Sequence, residues 1–332
     1  MTTPAMTASG SARPRVLVTR RLPEAVEARL RRQYEVTTSA DDRPLTPGQL
    51  SDALDAYDAL VPTITDRIDA GVIGLKGRRV RILANFGAGT DHIDLAAARH
   101  AGIIVSNTPG ALTEATADIA MTLILMAMRR AGEGERLVRA GAWDGWRPTQ
   151  LLGRSLGGKT LGLVGFGRIA RATARRAQAF GMSIAYHSRT RAGAEQEAAF
   201  GARYLGSLAA LAAESDVLSV HVPGGAATYH LIDAAVLAAL GPAGVLVNTA
   251  RGPVVDEVAL AAALEAGTLG GAGLDVYEHE PQVPERLRAC PGAVLLPHLG
   301  SATIEARTAM GMQAVDNLDA CLAGLEPPDR VA

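Results

Sequence analysis

The feature that most constrains the fold is a glycine pattern near the middle of the chain. A short apolar run at Thr160–Val164 precedes it, and a helical pattern follows it. Gly165 permits a tight turn, Gly167 lets the backbone approach a ligand, and Ala170 lets the helix pack closely on the strand. The pattern G-x-G-x-x-A alone is weak in a chain rich in Gly and Ala. Its place between a strand and a helix favours a dinucleotide site over an ordinary turn, with the phosphates at the helix end. The expected cofactor contacts here are Gly165, Phe166, Gly167, Arg168 and Ile169.

Short β-branched runs alternate with amphipathic segments along the chain, which indicates parallel α/β sheets with helices on both faces. The 332 residues are enough for two such domains. The final helical segment is expected to return to the first domain. The predicted strands are Arg15–Thr19, Asp58–Val61, Val80–Ala84 and Ile103–Ser106, then Thr160–Val164, Ser183–Tyr186, Val217–Val222, Val245–Asn248 and Gly273–Val276. The predicted helices include Glu24–Arg32, 112–130, 132–141 and 302–323.

Composition excludes several classes of function. A formal net charge of −1 gives no support for binding nucleic acid or an anionic membrane. The most apolar stretch, Ile119–Met128, is too short to span a bilayer. Residues 1–13 lack the apolar core of a signal peptide, so we expect a disordered tail and a cytoplasmic protein. Cys290 and Cys321 show no metal-ligand spacing and are expected to be ordinary buried thiols.

The loop after the second strand of the cofactor fold bears on cofactor choice. An NAD site normally carries Asp or Glu there, but no acidic residue occurs from Gly181 to Ala194. Ser188, Arg189 and Arg191 offer instead a hydroxyl and two guanidinium groups, which suit a 2′-phosphate. The loop therefore predicts that NADP(H) is preferred and NAD(H) possible; the alternative is a solvated basic loop.

Three further segments end predicted strands, where ligands bind in open α/β sheets. Arg251 can grip a carboxylate and a carbonyl in a bidentate fork. His298 can deliver a proton to a carbonyl oxygen, and Glu280 can hold the imidazole and favour its protonated form. Taken separately, each residue has a structural alternative. Arg251 could cap a strand end, His298 could be a core histidine with its hydrogen bonds satisfied, and Glu280 could be a surface charge. The segments are Asn248–Gly252, Gly273–Pro281 and Leu296–Thr303.

Together these motifs resemble the D-isomer-specific 2-hydroxyacid dehydrogenase family over nearly the whole chain from about residue 14. The segments Asn85–Asp94 and Asn107–Asp118 carry the resemblance together with the Gly165 loop and the three strand ends. The chain looks closest to the glyoxylate and hydroxypyruvate reductases. The resemblance implies an oxidoreductase that uses NAD(P)H to reduce a small 2-oxo acid to the D-2-hydroxy acid.

The resemblance also implies residue roles. Arg251 would bind substrate, His298 would be the acid/base, and Glu280, the acidic residue directly before proline, would be its partner. The backbone amides of Ala88 and Gly89 would hold the substrate carboxylate. Further cofactor contacts would come from Thr116, Val222, Pro223, Thr249, Ala250, Arg251, Asp275, His298 and Gly300.

By resemblance, a Rossmann cofactor domain (108–299) is inserted into a flavodoxin-like substrate domain (14–107 plus 300–327), with substrate in the cleft between them. No metal is implied. A homodimer is implied, in which Trp146 either reaches the partner's substrate pocket or only packs at the interface together with Trp143. A formate dehydrogenase would carry Gln rather than Glu280. Phosphoglycerate or phosphite oxidation, and a dinucleotide-sensing role without turnover, stay open.

Overall fold

A computed structural model describes residues 13–74 and 78–332 of the chain. The described chain up to Ala111 forms one compact unit together with Ile304–Ala332, and Leu112–Thr303 forms a second. The predicted tail at residues 1–13 lies outside the described residues except for its last position. No helix within the described ranges is long and apolar enough to cross a membrane.

The first unit is built on five parallel strands in the order β2-β1-β3-β4-β5. Local sequence signals set several of its helix ends. Thr46 forms a capping box with Gln49 at the start of α2, and Asp94 caps α4, which ends at Gly102 in the left-handed conformation. The elements are β1 Arg15–Val18, α1 Glu24–Gln33, β2 Glu35–Thr38, α2 Pro47–Ala56, β3 Ala59–Val61, α3 Ala70–Ile73, β4 Ile82–Ala84, α4 Leu95–Ala101, β5 Ile104–Ser106 and, from the end of the chain, α13 Ile304–Leu322.

The second unit contains seven parallel strands in the order β12-β11-β10-β9-β6-β7-β8. Short 3-10 turns lie at Ala226–Thr228 and Gly252–Val254. Its elements are α5 Thr113–Met128, α6 Ala131–Arg139, β6 Thr160–Val164, α7 Arg168–Ala179, β7 Ser183–His187, α8 Ala194–Ala199, β8 Ala202–Tyr204, α9 Leu208–Ala213, β9 Val217–Val220, α10 Ala234–Leu240, β10 Val245–Asn248, α11 Glu257–Glu265, β11 Gly271–Leu274, α12 Glu285–Ala289 and β12 Ala293–Leu295.

The predicted class, two parallel-sheet α/β domains, is confirmed. Sequence reasoning missed the short outer strands β2 and β8 and placed β11 two residues too late. It expected a strand to end before Leu296, where β12 lies, but gave no bounds for it. The strand β11 reads Gly-Ala-Gly-Leu, which carries almost no β signal. Its glycines have a packing reason, because a Cβ atom on Gly273 would lie 2.8 Å from the Cβ of Leu123 on α5.

The order of the second sheet changes direction between β6 and β9, which are neighbours in the sheet although five elements, from α7 through α9, lie between them in the chain. In open α/β sheets the carboxyl ends of strands at such a switch point form a ligand crevice. The Gly165 loop follows β6, and Val222 follows β9. A Cβ atom on Gly165 would lie 3.1 Å from a methyl carbon of Val222, so the two loops meet at that edge.

Candidate active site

The loop after β6 has the geometry of a phosphate cradle. Gly165 has φ of 91°, and a Cβ atom there would lie 2.8 Å from the carbonyl oxygen of His221, so only glycine fits. Gly167 has no heavy atom within 4 Å of its Cβ position and begins α7 without a side-chain cap. The first N–H groups of α7 therefore lack a capping side chain, as a phosphate site requires. Ala170 is fully buried, whereas Arg168 is exposed.

Phe166 occupies this loop for a packing reason. Its ring stacks on the ring of Tyr186, with centroids 4.2 Å apart, and meets Phe200 edge-on. Because the side chain of Phe166 is buried, only its backbone is left to contact the expected cofactor. The sequence pattern alone does not separate this structural role from a binding role.

The two arginines after β7 are not equivalent. Arg191 forms a bidentate ion pair with Glu197, at 2.8 Å for both bonds, and its guanidinium lies over the ring of Tyr204. The hydrogen bonds from Arg191 and Tyr186 lower the pKa of Glu197 to about 2. Arg189 is exposed and pairs with no group among the described residues. The Ser188 hydroxyl donates to the Thr190 carbonyl oxygen at 2.6 Å. Arg189 is thus the guanidinium that is available to a ligand.

His298 and Glu280, the predicted acid/base and its partner, lie within hydrogen-bond distance of each other. Nδ1 of His298 lies 2.9 Å from Oε2 of Glu280, and both side chains are about one-third exposed. Burial alone raises the pKa of Glu280, but the hydrogen bond and charge of His298, with a smaller contribution from Arg251, hold it below its ordinary value. With Nδ1 donating to the carboxylate, Nε2 of His298 is the atom left for a ligand. His298 has φ of 56°, a left-handed conformation that is uncommon for a residue with a Cβ atom.

Arg251 lies in the turn that follows β10. The Asn248 side-chain amide donates to the Arg251 carbonyl oxygen, and Nη1 of Arg251 donates to the Ala250 carbonyl oxygen. The next residue, Gly252, packs directly under the loop that carries Glu280. A Cβ atom on Gly252 would lie 1.8 Å from the carbonyl carbon of Tyr277. The backbone of this turn therefore sets the position of the loop that carries Glu280.

The turn that presents His298 is held by Asp275. Asp275 is 1% exposed, and its two carboxylate oxygens accept the N–H groups of Leu299 at 2.6 Å and Gly300 at 2.7 Å. Burial raises the pKa of Asp275, while these N–H donors and the charge of His298 act in the opposite direction. The hydroxyl of Thr116 donates to the Gly300 carbonyl oxygen at 3.1 Å. Asp275 and Thr116, expected at the cofactor, thus also shape the backbone around His298.

Sequence reasoning missed a network that holds the Glu280 loop. Glu257, 5% exposed, accepts the N–H of Glu278 at 2.9 Å, and Tyr277 donates its own N–H to Glu280. Burial raises the pKa of Glu257. The carboxylate of Glu278 pairs with His230 at 2.9 Å rather than with His298. The sequence offers no periodic signal for such contacts, because they join segments that are far apart along the chain.

The remaining predicted residues lie on loops of their own units. Val222 and Pro223 follow β9; Thr249 and Ala250 follow β10, and the buried Thr249 hydroxyl has no partner among the described residues. Ala88 and Gly89 lie in the loop after β4 of the first unit and are half-buried. Trp146 follows α6 and is 80% exposed in the single chain.

Comparisons with known proteins find a matching family model and relatives that align over nearly the whole chain. The family model described as "D-isomer specific 2-hydroxyacid dehydrogenase, NAD binding domain" matches residues 121–300. A glyoxylate reductase from Thermococcus litoralis is 43% identical over 323 residues, which are 96% of this chain and 97% of the relative. A glycerate dehydrogenase from Hyphomicrobium methylovorum is 40% identical over 312 residues, 94% of this chain and 97% of the relative.

A solved structure is similar over the whole fold. The NADPH-dependent glyoxylate/hydroxypyruvate reductase of Sinorhizobium meliloti, in complex with NADP and malonate, matches with a TM-score of 0.83 and 39% identity. The match covers 97% of each chain.

Proposed function

We propose that this chain, which belongs to the D-isomer-specific 2-hydroxyacid dehydrogenase family and is an oxidoreductase, reduces glyoxylate and hydroxypyruvate to the corresponding 2-hydroxy acids with NAD(P)H. The observation that carries the proposal is the Glu280–His298 pair at 2.9 Å, which lies with Arg251 at the carboxyl ends of neighbouring strands of the cofactor sheet. The names of the relatives support the same substrates for this chain.

The second unit fits a nicotinamide dinucleotide. The uncapped start of α7, the open Gly167 and the unpartnered Thr249 hydroxyl offer donors to phosphate and ribose groups. The loop residues from Gly165 to Ile169 would hold the pyrophosphate, and Val222 with Pro223 would line the adenine side. When bound, the cofactor supplies the hydride. The chain itself must supply the proton, the grip on the substrate and the exclusion of water.

Proton transfer falls to His298. Its Nδ1 is engaged by Glu280, so a proton on Nε2 can pass to the substrate oxygen as that oxygen gains charge. The ionised Glu280 stabilises the imidazolium before transfer and fixes the plane of the ring. In the oxidative direction the neutral imidazole accepts the same proton from the 2-hydroxyl group.

Substrate anchoring falls to Arg251 and to backbone amides. The Arg251 guanidinium is planar and always charged, so it can bind the carboxylate and the 2-oxo oxygen with parallel N–H bonds. The N–H groups of Ala88 and Gly89 complete the proposed carboxylate contacts. A charge-assisted arrangement of this kind selects 2-oxo acids over simple aldehydes and ketones.

We further propose that NADP(H) is preferred over NAD(H), through Arg189. Because Arg191 is paired with Glu197, one guanidinium rather than two is available to a 2′-phosphate. One exposed charge-assisted contact corresponds to a preference of about tenfold in kcat/KM.

The test is turnover by purified protein with a panel of 2-oxo acids and both cofactors. We expect oxidation of NADPH with glyoxylate and hydroxypyruvate, and a loss of roughly 10²–10⁴ in kcat for His298→Ala with cofactor affinity retained. A protein that binds NADPH but turns over none of the acids would instead be a dinucleotide sensor. Preferential oxidation of phosphoglycerate would redirect the substrate assignment.

A homodimer and a cytoplasmic location belong to the same proposal. Val138, Trp146 and Leu152 are 60%, 80% and 65% exposed in the single chain, an apolar arm that a partner subunit would cover. Cys290 and Cys321 are free and buried, as is common in reducing compartments. Sedimentation at micromolar concentration should show a dimer, and a fully active monomer would contradict it. In Trp146→Ala, reduced kcat/KM in an intact dimer indicates contact with the partner's pocket; a weakened dimer indicates interface packing only. Fractionation of the source cells tests the location.

A further inference from the structure

The loop after β4 has an unusual distribution of hydrogen bonds. The carbonyl oxygen of Gly87 accepts from the Asn85 side chain at 3.1 Å and from the Thr108 N–H at 3.0 Å. The carbonyl oxygen of Ala88 accepts from the Asn107 side chain at 2.7 Å. The carbonyl oxygen of Gly89 accepts from Asn85 at 2.9 Å. Three successive carbonyl groups are thus held by side-chain amides and one backbone donor.

The N–H groups of the same peptides point away from these contacts. In a trans peptide the carbonyl of one residue and the N–H of the next point in opposite directions. Fixing the carbonyls of 87, 88 and 89 therefore turns the N–H groups of Ala88, Gly89 and Thr90 away from the amide side chains. None of these three N–H groups has an acceptor within the part of the chain that the structure describes. Three fixed donors without an acceptor suit an anion.

Asn85 is at the centre of this arrangement. Its side chain is fully buried, and its Nδ2 uses both hydrogens on the carbonyls of Gly87 and Gly89. Its Oδ1 lies 3.0 Å from Nε2 of His92, which must donate because the amide oxygen has no hydrogen. A flipped amide would direct its oxygen at two carbonyl oxygens. His92 therefore fixes the orientation in which Asn85 holds the loop.

We propose that Asn85 is a positioning residue for the substrate carboxylate, oriented by His92, and that Thr90 supplies a third N–H donor beside Ala88 and Gly89. The inference rests on the proposed function, because the anion it prepares the loop to bind is the carboxylate of the 2-oxo acid. Asn85 itself does not touch the substrate. It acts by keeping the donors aligned before binding, so that binding does not have to order the loop.

The test compares Asn85→Ala and the near-isosteric Asn85→Asp with Asn317→Ala. Asn317 is a matched control because it is also fully buried in the first unit, and its side chain makes three hydrogen bonds, to Gln313 and Asp329, none of them directly to the loop. Calorimetry measures the Kd of oxamate for the enzyme with bound NADPH, and the Kd of NADPH alone. Thermal melting and the pH profile of kcat/KM for glyoxylate are measured on the same proteins.

We expect Asn85→Ala to weaken oxamate binding and raise the KM for glyoxylate by about tenfold to a hundredfold, the scale of one or two charge-assisted contacts. The Kd of NADPH and the position of the pH profile should stay unchanged. Asn85→Asp keeps the volume but loses both donors, so it should show the same loss and serves if the alanine variant does not fold. Asn317→Ala should lower the melting temperature without weakening the binding of oxamate.

Oxamate affinity at the wild-type level in a folded Asn85 variant would overturn the inference. Equal loss of oxamate affinity in Asn317→Ala would also overturn it, because the effect would then be general destabilisation. If the wild type itself neither binds oxamate nor reduces glyoxylate, the proposed function fails first and the inference fails with it.

Discussion

Gly252→Ala should damage catalysis through the backbone alone. The added methyl carbon would lie 1.8 Å from the carbonyl carbon of Tyr277, 1.9 Å from its oxygen and 2.3 Å from the nitrogen of Glu278. Non-bonded carbon atoms sit about 3.5–4.0 Å apart, so the Tyr277–Glu280 loop or the Arg251 turn must move by roughly 1.5 Å or more. All three contacted atoms are backbone, so no side-chain rotation relieves the overlap.

The expected magnitude follows from that displacement. A misplacement of about 1 Å in a catalytic arrangement can cost roughly 10²-fold in rate. Gly252 is flanked by Arg251 and presses on the loop that carries Glu280, so both groups shift relative to His298. We expect kcat/KM for hydroxypyruvate to fall by at least about 10²-fold, and overpacking to lower stability by about 1–3 kcal/mol.

The assay is steady-state reduction of hydroxypyruvate at saturating NADPH, with thermal melting and NADPH affinity measured in parallel. Gly193→Ala is the matched control, because no heavy atom lies within 4 Å of its Cβ position and its backbone is extended. The control should keep wild-type activity. A folded Gly252→Ala protein within about threefold of wild-type kcat/KM would refute the assignment of this turn as the support of the Glu280 loop.

Three further predictions concern the site. Glu280 is held ionised by its contacts with His298 and favours the imidazolium. Glu280→Gln should therefore move the alkaline limb of the pH profile for reduction to lower pH. An unchanged pH profile would show that Glu280 does not stabilise the imidazolium. Arg251→Lys keeps the charge but loses the planar fork, so the KM for glyoxylate should rise by roughly tenfold or more while NADPH affinity stays nearly unchanged. An equal loss of NADPH affinity would show that Arg251 acts mainly on the cofactor rather than on the substrate. Arg189→Ala should raise the KM for NADPH about tenfold and leave the KM for NADH nearly unchanged, both measured at fixed ionic strength. Arg191→Ala serves as the comparison variant. A wild-type kcat/KM that is equal or higher with NADH would contradict the cofactor preference.

The sequence predicted the features that depend on local pattern. The strand Thr160–Val164, the glycine turn and the helix after it were read correctly because each has its own signal within a few residues. The strand Val245–Asn248 was placed without error for the same reason. The pairing of Glu280 with His298 was expected from the resemblance, not from spacing, since seventeen residues, among them α12 and β12, lie between the two in the chain.

Long-range contacts explain what could not be predicted. Arg191 carries the same charge as Arg189 and lies two residues away, and only the fold reveals that Glu197 engages it. Glu257 and Asn85 are polar residues in buried positions, and sequence periodicity says nothing about which backbone groups they hold. The short strand β8 was missed because three residues cannot establish an alternation.

The identity and handedness of the product formed from hydroxypyruvate test the proposed function most directly. The purified wild-type enzyme is given hydroxypyruvate and NADPH, and the glycerate is resolved on a chiral column and quantified against NADPH consumed. We expect D-glycerate in a one-to-one ratio with oxidised cofactor, and almost none from His298→Ala. L-glycerate, or binding of NADPH with no glycerate formed, would contradict the assignment of this chain as a D-2-hydroxyacid dehydrogenase acting on small 2-oxo acids.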